Sequence, residues 1–415
     1  MEKSQKIIRV KNLVVWTLVL LAVLFMVLSL IPKARQKCIF PYGDLCDYRE
    51  FILPTIRSAL PYEPDMIHAR DACYPPIAYC AVSALSVDRG EKWSLTRSEI
   101  HLLTSIFIMQ LLGALLLVWK IPDVKLRTAV GLVILMTPAC ICSVLRGNPS
   151  GWAFAFVCMF LRWYNSNSAT KRIAAAVALG VATSLKLTPC LFGILYLTDV
   201  VLSPRRMPWR EIIISALTAS ILIFLPFVFF GGVESVPQWI SNARANAAFY
   251  SVESPLWGFA AFANRIVDSP EITLPSIGRF ALGTNVFAVV LLVATVFVRT
   301  CYKKLLYIGA AMAFMTHHDY GGAYLIPAFV AWLLDVCSAK SNICLLLEAV
   351  AWVLILTPLQ IPNPFHSGTL NAMLQNEFLF VLLFISFLPS PNRLGDEHDL
   401  QDLELLRFHT HPVKS

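Results

Sequence analysis

The sequence is dominated by long apolar runs, which recur from residue 13 to residue 389. The first run, LVVWTLVLLAVLFMVLSLI (13–31), follows a basic start and approaches the roughly 20 apolar residues that a helix needs to cross a bilayer. A secretory signal peptide has a shorter apolar region and a small-residue cleavage site, so we expect an uncleaved first helix. Only 14% of the residues are charged, against about a quarter in globular proteins. The apolar runs therefore indicate an integral membrane protein.

The positions of Lys and Arg between the runs predict the topology. Basic residues collect in short segments, among them KIPDVKLR (120–127), SPRRMPWR (203–210) and RTCYKK (299–304). Short basic loops are typical of the cytoplasmic side of a membrane. We therefore expect an all-α polytopic membrane protein with about 11–13 transmembrane helices and with both termini in the cytoplasm. Two of the expected helices lie near residues 127–145 and 150–164. The lipid environment fits a plasma (inner) membrane.

This topology predicts one integral membrane domain over residues 1–390 and a cytoplasmic tail over residues 391–415. The two long loops, 32–99 and 231–280, then lie outside, and so do most of the unusual polar residues of the chain. If the first loop is outside, Cys38 and Cys46 could form a disulfide, although spacing alone does not decide this.

Lys186 is an ionisable residue in an apolar setting, ATSLKLTPCLFGILYL. A charge within a membrane protein is energetically expensive and therefore suggests function. Its ammonium group could hold a lipid phosphate. If a new helix begins at Pro189, the partial positive charge and free N–H groups of its N-terminus would also favour an anion. The alternative is a lysine that snorkels to the membrane–water interface.

Asp44 and Asp47 lie in the first outer loop, and the pair His317 and His318 lies between two later apolar runs. A carboxylate can accept the proton of an attacking sugar hydroxyl, or two carboxylates can bind a divalent cation with phosphate. An ordinary capping or surface role is a third alternative. The histidines could bind phosphate, shuttle a proton, ligate a metal or simply hydrogen-bond at a helix end.

Aromatic residues, Trp257 among them, crowd the second outer loop beside Arg244. Such residues serve either as membrane anchors or as platforms for sugar rings. The sequence contains no CxxC pair, zinc-ligand spacing, Walker loop or dinucleotide-binding glycine motif. We expect no cofactor, and at this point a metal stays open as one alternative for the Asp and His pairs. The net charge of +8 suits loops that face anionic lipid and requires no nucleic acid partner.

Four stretches follow one another in a characteristic order. They are GDLCDYREFILPTIRSALPYEP with CYPPIAY, RGNPSGWAFAF with the Lys186 segment, ESPLWGFAAFANRI, and MTHHDYGGAYLIPAFVAWLL. From about residue 40 to residue 335, this order resembles glycosyltransferase family 87 of the multispanning GT-C superfamily. Characterised members of that family include polyprenyl-phosphate-mannose-dependent α-1,2-mannosyltransferases. Glu253-Ser254-Pro255 departs from the usual Asn-Gln-Ser of the family.

The resemblance implies a GT-C-like fold with an outward-facing active site. The activity would be transfer of mannose or another hexose or pentose, with inversion, from a polyprenyl phosphate to a hydroxyl of a glycan or glycolipid. Asp44 would be the general base, with Asp47 as the alternate. Lys186, with one of the two histidines and with Arg146 or Arg244, would hold the donor phosphate. Sugar and acceptor contacts would come from Tyr48, Tyr62, Tyr74, Asn148 and Trp257.

Two other classes of protein share the membrane setting. A secondary transporter would predict internal repeats and binding groups near the bilayer midplane, and the sequence shows neither feature. A lipid-linked glycan ligase or polymerase would use a diphosphate-linked donor and would usually carry more arginines on the outer side.

Overall fold

A computed structural model describes residues 2–31, 45, 47–57, 74–85, 97–202, 208–253, 274–316, 319–335, 341–359 and 370–388. Within these ranges the secondary structure is entirely helical. The α-helices, numbered in chain order, are α1 (Glu2–Leu30), α2 (Leu53–Arg57), α3 (Pro76–Leu85), α4 (Arg97–Val118), α5 (Val124–Leu135), α6 (Pro138–Leu145), α7 (Ser150–Trp163), α8 (Ala169–Leu185), α9 (Ile194–Leu202), α10 (Trp209–Phe224), α11 (Val236–Glu253), α12 (Leu274–Phe297), α13 (Cys301–Thr316), α14 (Ile326–Leu334), α15 (Asn342–Leu356) and α16 (Leu370–Phe387). A π-helix covers Asp47–Ile52, and 3-10 helices cover Thr188–Gly193, Leu225–Val228, Val233–Ser235 and Asp319–Leu325.

Three helical segments of the described chain are long and apolar enough to cross a membrane, as judged by length and composition. They are Gln5–Leu30, Glu99–Val118 and Trp209–Val228, and the bent pair α5 and α6 would make a fourth. Seven further apolar helices in the described ranges have only 10–17 residues each. The predicted all-α membrane architecture is confirmed, and the number of about 11–13 crossings stays a prediction.

Proline residues divide several of the apolar runs. The sequence predicts one crossing helix near residues 127–145, and the structure shows a bent pair there, since α5 and α6 meet at an angle of 51°. The Thr137 hydroxyl accepts a hydrogen bond from the Cys140 N–H, and Pro138 occupies the first turn of α6. A capping Thr followed by Pro starts a new helix, since the pyrrolidine ring suits the first turn and not the interior. Pro226 and Pro327 similarly stand at the starts of a 3-10 helix and of α14.

The helices pack around one large apolar core, to which α1 contributes along much of its length. Lys11 of α1 is buried, and its Nζ donates to the carbonyls of Trp332 and Asp335 at the end of α14. An ammonium group is favourable there because the unpaired carbonyls give a helix C-terminus a partial negative charge. The first helix is thus joined to the bundle by a polar contact as well as by apolar packing.

A second, smaller apolar cluster lies where α3, α4, α7, α8 and α10 meet the first long loop. Helices α8 and α10 approach closely, since a Cβ on Gly180 would stand 2.7 Å from the Ser215 carbonyl oxygen. This cluster supports the segment that begins at Leu45. Its buried members are Leu45, Tyr48, Ile52, Ala78, Tyr79, Val82, Leu102, Ile106, Trp152, Ala153, Leu185, Ile223, Phe227 and Trp239.

Candidate active site

The segment that follows Asp44 is held against the C-terminal end of α6 by backbone hydrogen bonds. The Leu45 N–H donates to the Leu145 carbonyl at 2.7 Å, and the Tyr48 N–H donates to the Arg146 carbonyl at 3.1 Å. Leu45 has a φ of 53°, a left-handed conformation that a leucine rarely adopts. Strained residues of this kind collect at functional sites, where the surrounding structure holds them in place. The part of the first long loop at Leu45 and Tyr48 is therefore anchored to the turn after α6.

That turn requires a glycine at one position. Gly147 has a φ of +68°, and a Cβ there would lie 2.9 Å from the Cβ of Tyr48. The absence of a side chain lets the Tyr48 segment lie directly on the turn. Tyr48 itself is buried.

A chain of side-chain hydrogen bonds starts from this turn and ends at Lys186. Asn148 is completely buried, and its Nδ2 donates to the Tyr74 Oη at 2.7 Å. Its Oδ1 accepts from the Ser150 N–H at 2.9 Å and from the Ser150 hydroxyl. The Lys186 Nζ donates to the Ser150 Oγ at 3.0 Å. Three residues predicted from sequence, Tyr74, Asn148 and Lys186, are thus brought together, with Ser150 as the link.

Lys186 stands where α8 ends. Its backbone is extended, with φ −155° and ψ 128°, while its N–H still donates to the Ala182 carbonyl. A helical segment begins two residues later, because the 3-10 helix Thr188–Gly193, with Pro189 in its first turn, continues directly into α9 and the two together cover Thr188–Leu202. The contribution of its N-terminus to anion binding stays a prediction.

An apolar groove of about 460 Å³ opens next to Leu185, the residue before this lysine. Leu185 and Ser184 of α8 and Trp152 of α7 line it, and its other walls come from α3, α4 and α10. Its volume lies within the range of small-molecule binding pockets. Lys186 itself does not line the groove, but the preceding residue, Leu185, does, and so does Trp152, two residues after the Ser150 that binds the Lys186 ammonium.

Helix α4 supports the site from one side through polar residues that sequence reasoning missed. The Gln110 Nε2 donates to the Cys140 carbonyl at 3.2 Å and also to the Ser143 hydroxyl. The Arg49 guanidinium pairs with the Glu99 carboxylate at 2.7 Å and so ties the first long loop to the start of α4. Gln110 could have been found as an amide inside an apolar run, since polar groups there usually bond across helices.

The remaining predicted residues divide into two groups. Arg146 is partly buried at the end of α6, and its backbone carbonyl accepts a hydrogen bond from the Tyr48 N–H. Arg244 is exposed on α11. Other predicted features lie outside the described residues: Asp44, Tyr62, Trp257, His317, His318, the Cys38–Cys46 pair and the side chain of Asp47.

The chain directly after the histidine pair does lie near the site. The 3-10 helix Asp319–Leu325 packs against α6, α7 and α13. Among the described residues no three His, Cys, Asp or Glu side chains are grouped as metal ligands would be.

A family model for glycosyltransferase family 87 matches residues 73–317, more than half of the 415-residue chain. The chain belongs to glycosyltransferase family 87. This family 87 protein is therefore a membrane glycosyltransferase of the helical GT-C type. No curated protein and no solved structure matches it.

The family match covers one part of the candidate site and not the other. It includes Tyr74, Arg146, Asn148 and Lys186, which form or adjoin the hydrogen-bonded chain. It begins at residue 73, after the segment that contains both candidate carboxylates. The family match therefore does not bear on Asp44 and Asp47, and a general base in this family 87 protein has to be argued from the chemistry of the first loop.

Proposed function

We propose that this glycosyltransferase transfers a sugar from a polyprenyl phosphate to a hydroxyl of a glycan or glycolipid, with inversion at the anomeric carbon. The sugar is mannose or another hexose or pentose. The reaction takes place at the outer face of the plasma (inner) membrane, with both termini of the protein in the cytoplasm.

The observation that carries the donor assignment is the Lys186 ammonium, which donates to the Ser150 hydroxyl at 3.0 Å. Leu185 and Trp152, which are close to Lys186 and Ser150 in the chain, line an apolar groove of about 460 Å³. A polyprenyl phosphate combines one anionic phosphate with an apolar tail. An ammonium is a good point-charge partner for phosphate, and apolar walls suit the first isoprene units.

The first loop supplies the base. Asp44 directly precedes Leu45, whose N–H is bonded to the Leu145 carbonyl beside the turn that carries Asn148. The acceptor hydroxyl oxygen attacks the anomeric carbon, and Asp44 takes the hydroxyl proton. The bond between that carbon and the phosphate oxygen breaks, and its electron pair leaves with the lipid phosphate. Lys186 stabilises the negative charge that collects on the leaving oxygen.

The other predicted residues complete the site in this proposal. Arg146 and one histidine of the pair His317 and His318 add positive charge around the leaving phosphate, with Arg244 as an alternative donor. The sugar and the acceptor are positioned by Tyr48, Tyr62, Tyr74, Asn148 and Trp257. Support comes from the hydrogen bond of Asn148 to Tyr74 and from the packing of the Asp319–Leu325 helix against α6.

The test is sugar transfer by the purified protein. Radiolabelled polyprenyl phosphate sugars are supplied with membrane lipid extract as acceptor, and wild type is compared with Asp44→Asn and Asp47→Asn. We expect Asp44→Asn to lower kcat by a factor of about 10² to 10⁴, which is typical for loss of a general base. Asp47→Asn should keep most of the activity.

Each other result has a definite meaning. Loss of activity in Asp47→Asn alone would move the base to Asp47 and keep the mechanism. Unchanged rates in both variants would refute base catalysis by the first loop. Transfer from a diphosphate-linked oligosaccharide, with none from any polyprenyl monophosphate, would refute the donor assignment in favour of a glycan ligase.

A further inference from the structure

A second cavity lies at the other end of the helices that build the candidate site. Helix α4 begins near Glu99 beside the first loop and ends at Val118, just before Lys120 in the cavity wall. Helix α7 begins at Ser150 and ends at Trp163, so that Arg162 and Tyr164 reach the cavity. The 14 residues of α7 separate the two places by about 21 Å along the helix axis. The cavity is therefore distinct from the Lys186 site.

Three cationic side chains line this cavity. Lys120, Arg162 and Lys304 come from three different parts of the chain, and Asp335 also lies in the wall. A second carboxylate, Asp199, acts on Lys304 from behind the wall, where the Lys304 ammonium also donates to the Thr198 hydroxyl. The other titratable groups in the wall are Tyr164, Cys301 and Tyr302. Burial, with a contribution from the charge of Arg162, lowers the pKa of Lys120 to about 8. Lys120 and Arg162 therefore repel each other, and an anion between them would relieve that repulsion.

The first turn of α13 adds further groups that favour an anion. Thr300 precedes this helix, and its carbonyl accepts the N–H of Lys304 at 3.2 Å as the helix begins. The first N–H groups of an α-helix lack partners within the helix, and its N-terminus carries partial positive charge. The Thr300 hydroxyl lines the cavity and is buried without a hydrogen-bond partner among the described residues. A phosphate oxygen would provide such a partner.

The remaining wall of the cavity is apolar. Leu117, Leu161 and Leu334 are among the lining residues, and the cavity volume is about 100 Å³. That space holds a group of several heavy atoms, since one water needs about 10–15 Å³ on this measure. Trp119, next to Lys120, is 62% exposed, and exposed Trp residues are enriched where helices leave the hydrocarbon region.

We propose that this cavity binds the phosphate group of an anionic membrane lipid, at the end of the bundle opposite the candidate active site. Basic pockets between transmembrane helices are known binding places for anionic lipid head groups. The positive charge of the cavity favours a phosphate group, and its apolar wall favours a phosphate that carries acyl chains. This site goes beyond the proposed transferase reaction and does not depend on it.

The experiment uses the full-length protein, delipidated in a neutral detergent. Its melting temperature is followed against added phosphatidylglycerol, phosphatidylcholine and inorganic phosphate. We expect a saturable rise with phosphatidylglycerol and none with phosphatidylcholine, while inorganic phosphate should bind at least about tenfold more weakly for lack of acyl contacts. Equal effects of the two lipids would overturn the proposal. Inorganic phosphate that binds as tightly as phosphatidylglycerol would assign the cavity to a soluble anion instead.

Variants locate the binding. Lys120→Gln and Arg162→Gln should each weaken phosphatidylglycerol binding about fivefold, the usual contribution of one basic residue near an anionic lipid. Lys125→Gln removes an exposed lysine of α5 and should leave the affinity unchanged. The melting transition of each variant without lipid reports whether it is folded. Unchanged affinity in both Lys120→Gln and Arg162→Gln would place the lipid elsewhere and refute the site.

Discussion

Replacing Lys186 with methionine removes one positive charge from the candidate active site and keeps most of the side-chain volume. If the ammonium stabilises the departing lipid phosphate, two estimates of the cost agree. Loss of one group that stabilises a developing oxyanion typically costs about 2.7–4 kcal/mol, or a factor of 10² to 10³ in rate. Two unit charges 4 Å apart interact by about 4 kcal/mol at an effective dielectric constant of 20.

The effect on the fold should be much smaller. Lys186→Met removes the hydrogen bond to the Ser150 Oγ, but Ser150 still donates to Asn148. We expect the free energy of unfolding to fall by no more than about 1 kcal/mol. The assay is the initial rate of transfer from a radiolabelled polyprenyl phosphate sugar, with melting temperatures measured in parallel. Lys171→Met, at the exposed start of the same helix, is the matched control. A loss in kcat/KM of less than tenfold, in a protein that melts normally, would refute the role of Lys186.

Three other variants test the structure around this lysine. Ser150→Ala leaves the charge of Lys186 but removes its hydrogen-bond partner, so kcat should fall about 5- to 20-fold with little change in the melting temperature; an unchanged kcat would exclude a positioning role. Gly147→Ala should destabilise the protein by about 1–3 kcal/mol because of its positive φ and the contact with Tyr48, whereas Gly131→Ala, in an open helical position, should be neutral or slightly stabilising. Glu99→Gln should lower stability by about 1–2 kcal/mol, since it leaves Arg49 without its partly buried carboxylate. Thermal unfolding measures both of the last two effects, and equal melting of the two glycine variants would contradict the turn geometry.

Hydropathy predicted the helices of this protein well because a membrane helix must satisfy its own backbone and therefore needs a continuous apolar stretch. Residues 150–164, predicted as a helix, correspond closely to α7. Hydropathy carries no information about a helix cap inside an apolar run. The stretch 127–145, predicted as one helix, is therefore divided into α5 and α6 in the structure. The run of apolar residues continues through Thr137 and Pro138 while the backbone turns.

The candidate site was predictable only in part, for a physical reason. Lys186 is conspicuous because a charge in an apolar run is costly, and Asn148 and Tyr74 were found through family-like spacing. Ser150 and Glu99 were missed, since a hydroxyl or a carboxylate near a helix start is ordinary in any sequence. Their importance comes from partners far away in the chain, such as the 50-residue separation between Arg49 and Glu99. Periodicity carries no information about such pairs.

The hydrogen-bonded chain from Lys186 to Tyr74 also has a direction. The ammonium of Lys186 can only donate, and the Ser150 backbone N–H fixes Oδ1 as the accepting end of the Asn148 amide. The amide nitrogen of Asn148 must then donate to the Tyr74 oxygen, so the phenol proton has to be directed at another acceptor. The Tyr74 hydroxyl is therefore oriented to donate its proton to a neighbouring acceptor oxygen. A protonated lysine and a single peptide N–H thus determine the polarity of a phenol that neither of them touches.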